Sequence, residues 1–120
     1  MVKHTVRLAV DLTIKEGMLE AFEGVARTMV AGSHKEPGTL EYDWFLSADR
    51  KKCRLLELYT DANAVLAHFN GPVVQEVVPK LLETADVSRF EVYGDPGPKL
   101  TELLPAFGAE FFGLSQGLNR

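Results

Sequence analysis

The sequence predicts an α+β domain in the order strand, helix, strand, strand, helix, strand, and three patterns predict it. Apolar and polar residues alternate over residues 4–14, and apolar residues recur every three or four positions over residues 18–30. Turn signals then separate three further strand-like runs, with a helical stretch between the last two. That order is the split βαβ, ferredoxin-like arrangement with a four-stranded antiparallel sheet.

The first run places His4, Val6, Leu8, Val10, Leu12 and Ile14 on one face, against Thr5, Arg7, Asp11 and Thr13 on the other. Glu16-Gly17 opens a new rhythm, in which Met18, Phe22, Val25 and Met29 form the stripe of an amphipathic helix. It ends near Ser33-His34, before the turn signal Pro37-Gly38. In residues 39–47, Leu40, Tyr42, Trp44 and Leu46 alternate with Thr39, Glu41, Asp43 and Phe45. A polar turn, Asp49-Arg50-Lys51-Lys52, returns the chain as a hairpin partner over residues 53–60. Asp61 is placed to cap a helix over residues 62–69, and Gly71-Pro72 restarts helix. Pro79 has no N–H and should kink or divide that segment. Residues 86–93 make the fourth strand.

The third strand has apolar groups on both faces. Trp44, Leu56 and Leu58 cannot share one face with every other large apolar strand residue, so the second sheet face is expected to meet another subunit. Residues 1–97 are expected to form the sheet domain, and residues 98–120 an apolar tail. The tail carries Leu100, Leu103, Leu104, Phe107, Phe111, Phe112 and Leu114, with Pro105 splitting it into two short helical pieces. A disordered tail would not be so apolar, so it should dock on this subunit or on a partner.

Composition narrows the function. At 120 residues with 46% apolar and 25% charged residues, the chain reads as one soluble globular domain. A net charge of −4 with scattered basic residues argues against binding nucleic acid or a membrane surface. The lone Cys53 excludes an internal disulfide and a multi-cysteine zinc site, and fits a reducing, cytoplasmic compartment. The most apolar N-terminal stretch, residues 2–14, is broken by Lys3, His4, Arg7 and Asp11, so no membrane segment is expected. Phosphate loops, nucleophile elbows, zinc-protease signatures and dinucleotide fingerprints are all missing.

The residues left to carry chemistry are few. His68 sits on a short helix that also carries the small residues Ala62, Ala64 and Ala67, which leave room beside it. A histidine facing such room acts as acid, base or donor near neutral pH; the alternative is a hydrogen-bonded structural residue. Glu57 and Tyr59 share a strand face, and a mid-strand carboxylate must be paired, solvated or functional. Arg54, Arg89 and Arg7 are its candidate ion-pair partners. Tyr42, Trp44, Tyr59 and Phe69 read as core or as the apolar wall of a pocket with a few polar points. His4, at the start of the first strand, is a candidate for the pocket rim, and His34 is a cap at a helix end.

Two motifs, met in this order, resemble those of the antibiotic biosynthesis monooxygenase family. Glu36-Pro37-Gly38-Thr39-Leu40-x-Tyr42 is similar to the family's hairpin entry. Leu56-Glu57-Leu58-Tyr59-Thr60-Asp61-Ala62-x-Ala64-x-x-Ala67-His68 is similar to its strand–helix block, with Tyr59 where a Trp is common. The resemblance runs over residues 6–93 and leaves the tail unaccounted for. It implies a homodimer pairing as a dimeric α+β barrel, with a pocket between sheet and helices in each subunit. It further implies a cofactor-independent monooxygenase that oxidises a small electron-rich aromatic, of quinol or anthrone type, with O₂. His68, Tyr59 and Glu57 would be the catalytic set, and Trp44, Phe69 and His4 would contact substrate. No metal or other cofactor is implied. Haem degradation, isomerisation and a non-catalytic binding module are the alternatives.

Overall fold

The computed structural model describes residues 4–118. Its elements are β1 (Val6–Ile14), α1 (Leu19–Ser33), β2 (Thr39–Leu46), β3 (Lys52–Tyr59), α2 (Ala62–Asn70) and a π-helical turn (Val73–Val77). Then come α3 (Val78–Thr84), β4 (Ala85–Tyr93), α4 (Gly97–Leu103), a 3-10 turn (Leu104–Phe107) and β5 (Glu110–Phe112). The sheet order is β2-β3-β1-β4-β5. The first four strands pair antiparallel, as a ferredoxin-like α+β sheet, and β5 joins parallel to β4.

The fifth strand corrects the expected count of four. Pro105 opens the 3-10 turn, and Gly108 ends it in the left-handed region at φ 79°. From there the chain runs extended, and Gly94 donates its N–H to the Phe112 carbonyl at 2.9 Å. The strand is three residues long, too short for its alternation to stand out in sequence.

One face of the sheet is covered by helices. Val6, Leu8, Val10, Leu12 and Ile14 of β1 and Cys53, Leu55, Glu57 and Tyr59 of β3 point into that layer and are buried. Two irregularities alter the alternation. The register of β2 against β3 shifts between Thr39 and Glu41, which leaves Leu40 exposed rather than in line with Tyr42. The register of β1 against β4 shifts after Asp11, where Arg89 and then Val87 are the successive partners. That extra residue turns both Val87 and Phe90 toward the helical layer.

Pro79 divides the segment after α2, as its missing N–H requires: a π-helical turn precedes it and α3 contains it. Of the tail residues, Leu100 and Leu104 are fully buried, whereas Leu103 and Phe107 are exposed and Phe111 is half-buried. The core has two parts. One gathers Leu12, Phe22, Met29, Cys53 and Leu55 under α1 and α3. The other gathers Val6, Leu8, Tyr59, Val65 and Leu100 under α2 and α4. Among the described residues, no helix is long and apolar enough to cross a membrane.

Candidate functional site

Where the two parts of the core meet, a cavity of about 150 Å³ opens between the sheet and the helices. Its lining is apolar except for Tyr42, Glu57 and His68. Local sequence explains how these side chains arrive. The Asp61 side chain accepts from the Ala64 N–H at 2.9 Å and starts α2, a cap of a kind typically worth about 1 kcal/mol. Ala64 and His68, four residues apart, then share one helix face.

Gly38 brings the next group in. A Cβ at Gly38 would stand 2.5 Å from the Ala64 Cβ, so only glycine lets the Glu36–Thr39 turn lie against α2. The Thr60 N–H donates to the Gly38 carbonyl at 2.9 Å and fixes that turn. Glu36 thereby reaches His68, with Oε1 2.8 Å from Nδ1, and the Thr39 hydroxyl donates to the same oxygen at 2.9 Å. The opposite ring nitrogen, Nε2, faces Glu57 Oε1 at 3.9 Å. Glu57 in turn accepts a hydrogen bond from the Tyr59 hydroxyl. The result is a chain Glu36–His68–Glu57–Tyr59, with Tyr42 packed edge-on against the imidazole at a ring separation of 5.2 Å.

Burial governs the protonation of this group. Desolvation pushes the Glu57 carboxyl above its ordinary range, and His68 and the Tyr59 hydrogen bond only partly oppose it. Burial first, then the neighbouring carboxylates, hold both Tyr42 and Tyr59 protonated far beyond the usual phenol range. In the tautomer that directs Nδ1–H at Glu36, Nε2 on the Glu57 side is the ring's hydrogen-bond acceptor. The arrangement can take a proton at Nε2, offer one from Glu57 and donate a hydrogen bond from the Tyr42 hydroxyl.

The expected site residues divide into two groups. His68, Glu57 and Tyr59 come together, although Tyr59 is fully buried beneath Glu57 and does not line the cavity. Phe69 does line it. Trp44 does not: it packs edge-on against Tyr42 and Phe22, one ring removed from the cavity. His4 is exposed ahead of β1 and also lies outside the lining. His34 follows α1, where its N–H caps the Val30 carbonyl. None of the candidate arginines pairs with Glu57. Arg54, Arg89 and Arg7 lie on the open sheet face and pair with Asp11, Glu91 and Glu41. Burial pushes the Cys53 thiol up to about 11, so it carries little thiolate at neutral pH.

Glu36 is the residue that sequence reasoning missed as a site member. It appears there only as the first letter of the hairpin motif, 32 positions from His68. Pro37 and the close-packed Gly38 after it are the local signs of a tight turn.

A family model described as antibiotic biosynthesis monooxygenase matches residues 5–80. No curated protein matches the sequence significantly. Among solved structures, MupZ from Pseudomonas fluorescens is similar at 28% identity and a TM-score of 0.87, over 98% of this chain and 95% of its own. A Bacteroides thetaiotaomicron protein of unknown function is 26% identical with a TM-score of 0.69, over 76% of this chain and 97% of its own. SnoaB, a cofactor-independent oxygenase from Streptomyces nogalater, shares the fold at 16% identity and a TM-score of 0.68, over 77% of this chain and 93% of its own.

Proposed function

The chain belongs to the antibiotic biosynthesis monooxygenase family, and from that premise we propose that it oxygenates a small electron-rich phenol or quinol with O₂. Family membership supports monooxygenase activity at the level of the family. The observation that carries the reading for this chain is His68, paired with Glu36, lining a cavity that is apolar but for Tyr42, Glu57 and His68 itself. The chemistry asks for a base, a dry site and donors for the developing charge.

In this scheme His68 Nε2 removes the phenolic proton, and Glu36 stabilises the imidazolium through Nδ1–H. The phenolate gives one electron to O₂, and the phenoxyl radical and superoxide combine at a ring carbon. The resulting peroxide anion takes the proton back from His68. Loss of the ring C–H proton and of hydroxide, together one water, then leaves a quinone carbonyl. One oxygen atom of O₂ ends in the product and the other in water. Tyr42, held protonated by its surroundings, is the donor to the phenolate oxygen. Tyr59 acts through Glu57 and is a positioning residue.

The test is quinol turnover followed by O₂ uptake and by ¹⁸O₂ labelling. One labelled atom per quinone and no turnover under argon are expected. Unlabelled product, or equal turnover without O₂, would remove the oxygenase reading. Conversion without any O₂ uptake would favour a second reading, a proton-transfer isomerisation, for which Glu57 as an acid 3.9 Å from the His68 base is the supporting observation.

Proteins of this family are typically dimeric. We propose that this chain forms a homodimer through the open face of its sheet, which carries Phe45, Leu56, Leu58 and Phe112 without cover from the helices.

A further inference from the structure

The mouth of the cavity is made by three exposed apolar residues from three different elements. Leu82 of α3, Val87 of β4 and Phe107 of the 3-10 turn are 45%, 44% and 46% exposed, yet all three line the cavity. Each is exposed on one side and borders the interior space on the other, so the three mark where the cavity opens to solvent.

Phe107 is held in place on both sides. Leu104 is fully buried, and the N–H groups of Gly108 and Ala109 return to the Pro105 and Leu104 carbonyls at 3.0 and 3.4 Å. Downstream, Phe111 and Phe112 are tied to β4 by strand pairing. The Phe107 ring packs on Phe69 at 5.7 Å, and Phe69 packs edge-on against His68 at 5.8 Å. The ring therefore sits over the cavity as a fixed wall, two aromatic contacts from the proposed base. It lies beyond the family-matched residues.

Size then decides what fits. The cavity is about 150 Å³ and is walled chiefly by Val, Leu, Met and Phe, a volume that holds about one benzene ring. A fused tricyclic ligand needs a space on the order of 300 Å³ or more. We propose that the cavity is a single-ring site in which Phe107 is the size-determining residue. The preferred substrate is a one-ring phenol or quinol bearing an apolar substituent that lies across Leu82, Val87 and Phe107. This rests on the phenol-site reading above. It adds the ring number, the alkyl substituent and the residue that sets both.

Binding and turnover separate the two claims. Unreactive phenols (4-ethylphenol, 4-hexylphenol, 2-naphthol and 2-hydroxyanthracene) are titrated calorimetrically under argon into the wild-type protein and into Phe107→Ala and Phe107→Leu. In the wild type, affinity should rise about twofold per added methylene, half the free-energy effect of full burial, because the mouth is half open. The tricyclic phenol should bind about 30-fold or more weaker than 4-ethylphenol, in the range of overpacking penalties. Phe107→Ala should shrink that gap to about threefold, with Phe107→Leu between the two. Near-ultraviolet circular dichroism checks that the variants fold, and a half-exposed ring leaves room for both to do so.

Size-selective binding without quinol turnover in air would keep the single-ring limit and remove the oxygenase reading. Turnover with no preference for one ring, or folded Phe107→Ala with wild-type selectivity, would overturn the limit. Failure of every phenol to bind would overturn both.

Discussion

The two faces of β3 carry charge under opposite conditions. Outward, Arg54 donates to Asp11 at 2.7 and 3.1 Å in water, with Leu56 and Leu58 beside it. Inward, Glu57 is almost wholly buried and meets Tyr59 and His68 rather than a cation from a neighbouring strand. The outer pair shifts its members in the ordinary sense: Arg54 holds the Asp11 carboxyl below its usual range. The inner carboxyl moves the other way because desolvation outweighs its partners. An exposed pair gains little over two hydrated ions, whereas a buried carboxyl must be hydrogen-bonded or stay protonated. The inward face is therefore where proton chemistry can be set by the protein, and the outward face is the one proposed above to pack on a second subunit.

The largest break in this contrast comes from the inner face. His68→Ala should lower quinol turnover by about 10²–10⁴-fold, the usual contribution of a positioned base. Glu36→Gln should act in the same direction but less strongly, since it weakens the partner of Nδ1 and leaves Nε2 in place. Steady-state kcat and KM with circular dichroism on each variant check both; a loss confined to KM would argue for binding rather than proton transfer.

On the outer face the expected effect is on assembly. Leu58 lies half-buried there, opposite Arg7 and Glu41 in the neighbouring strands. Leu58→Arg would place a cation on the proposed interface and should weaken dimerisation by about 30-fold, as loss of a 2 kcal/mol hot spot does. Sedimentation over a concentration series measures it. Unchanged association would place the interface elsewhere.

How much of this was legible in the sequence follows from how local each feature is. β1, α1 and the Asp61 cap depend on residues within a few positions of one another, and the patterns match the structure. His68 beside small residues is equally local. Glu36 depends on a contact 32 residues away, and no periodicity encodes that. The pairing of Glu57 depends partly on parity, which was readable: Arg54 stands three residues away on the same strand and so faces the opposite side. Arg7 and Arg89 needed the register, and the register of β4 carries a shift that parity cannot see. Trp44 points to the helical layer as its alternation requires, but Tyr42 stands between it and the cavity. The three-residue β5 and the fixed position of Phe107 both depend on Gly108, a single left-handed residue.

A subtler break concerns pH. Glu57 has a folded pKa raised above its reference value of 4.5, so the folded state keeps a proton that the unfolded chain releases. Its contribution is fully present below about 4.5 and is lost as pH rises through the raised value. Glu57→Gln keeps the shape of the protonated carboxyl and cannot lose that proton. The variant should therefore gain stability relative to wild type as pH rises from about 4.5, with a limiting slope of about 1.4 kcal/mol per pH unit. Urea unfolding at a series of pH values gives the difference directly. A difference that does not vary with pH would mean that Glu57 is ionised in the native state throughout.

The smallest effect belongs to the outer pair, and its sign is opposite. Asp11 is held below its reference value of 3.8 by Arg54, so its stabilisation is present above that value and lost as pH falls through the lowered one. In the isolated subunit, Asp11→Asn should remove that acid-side dependence and do almost nothing near neutral pH, because Arg54 stands in solvent and salt screens the pair. The proposed dimer sharpens this. If the open face is covered by a second subunit, the pair is partly desolvated there and Asp11→Asn should lower the melting temperature of the dimer. In the Leu58→Arg background, where the face is left in water, the same substitution should have no resolvable effect. Thermal unfolding of the four proteins (wild type, each single variant and the double) closes the cycle. Additive effects would mean that Asp11 and Arg54 meet water in both states, and that the outer face is not the surface on which two copies of this chain pack.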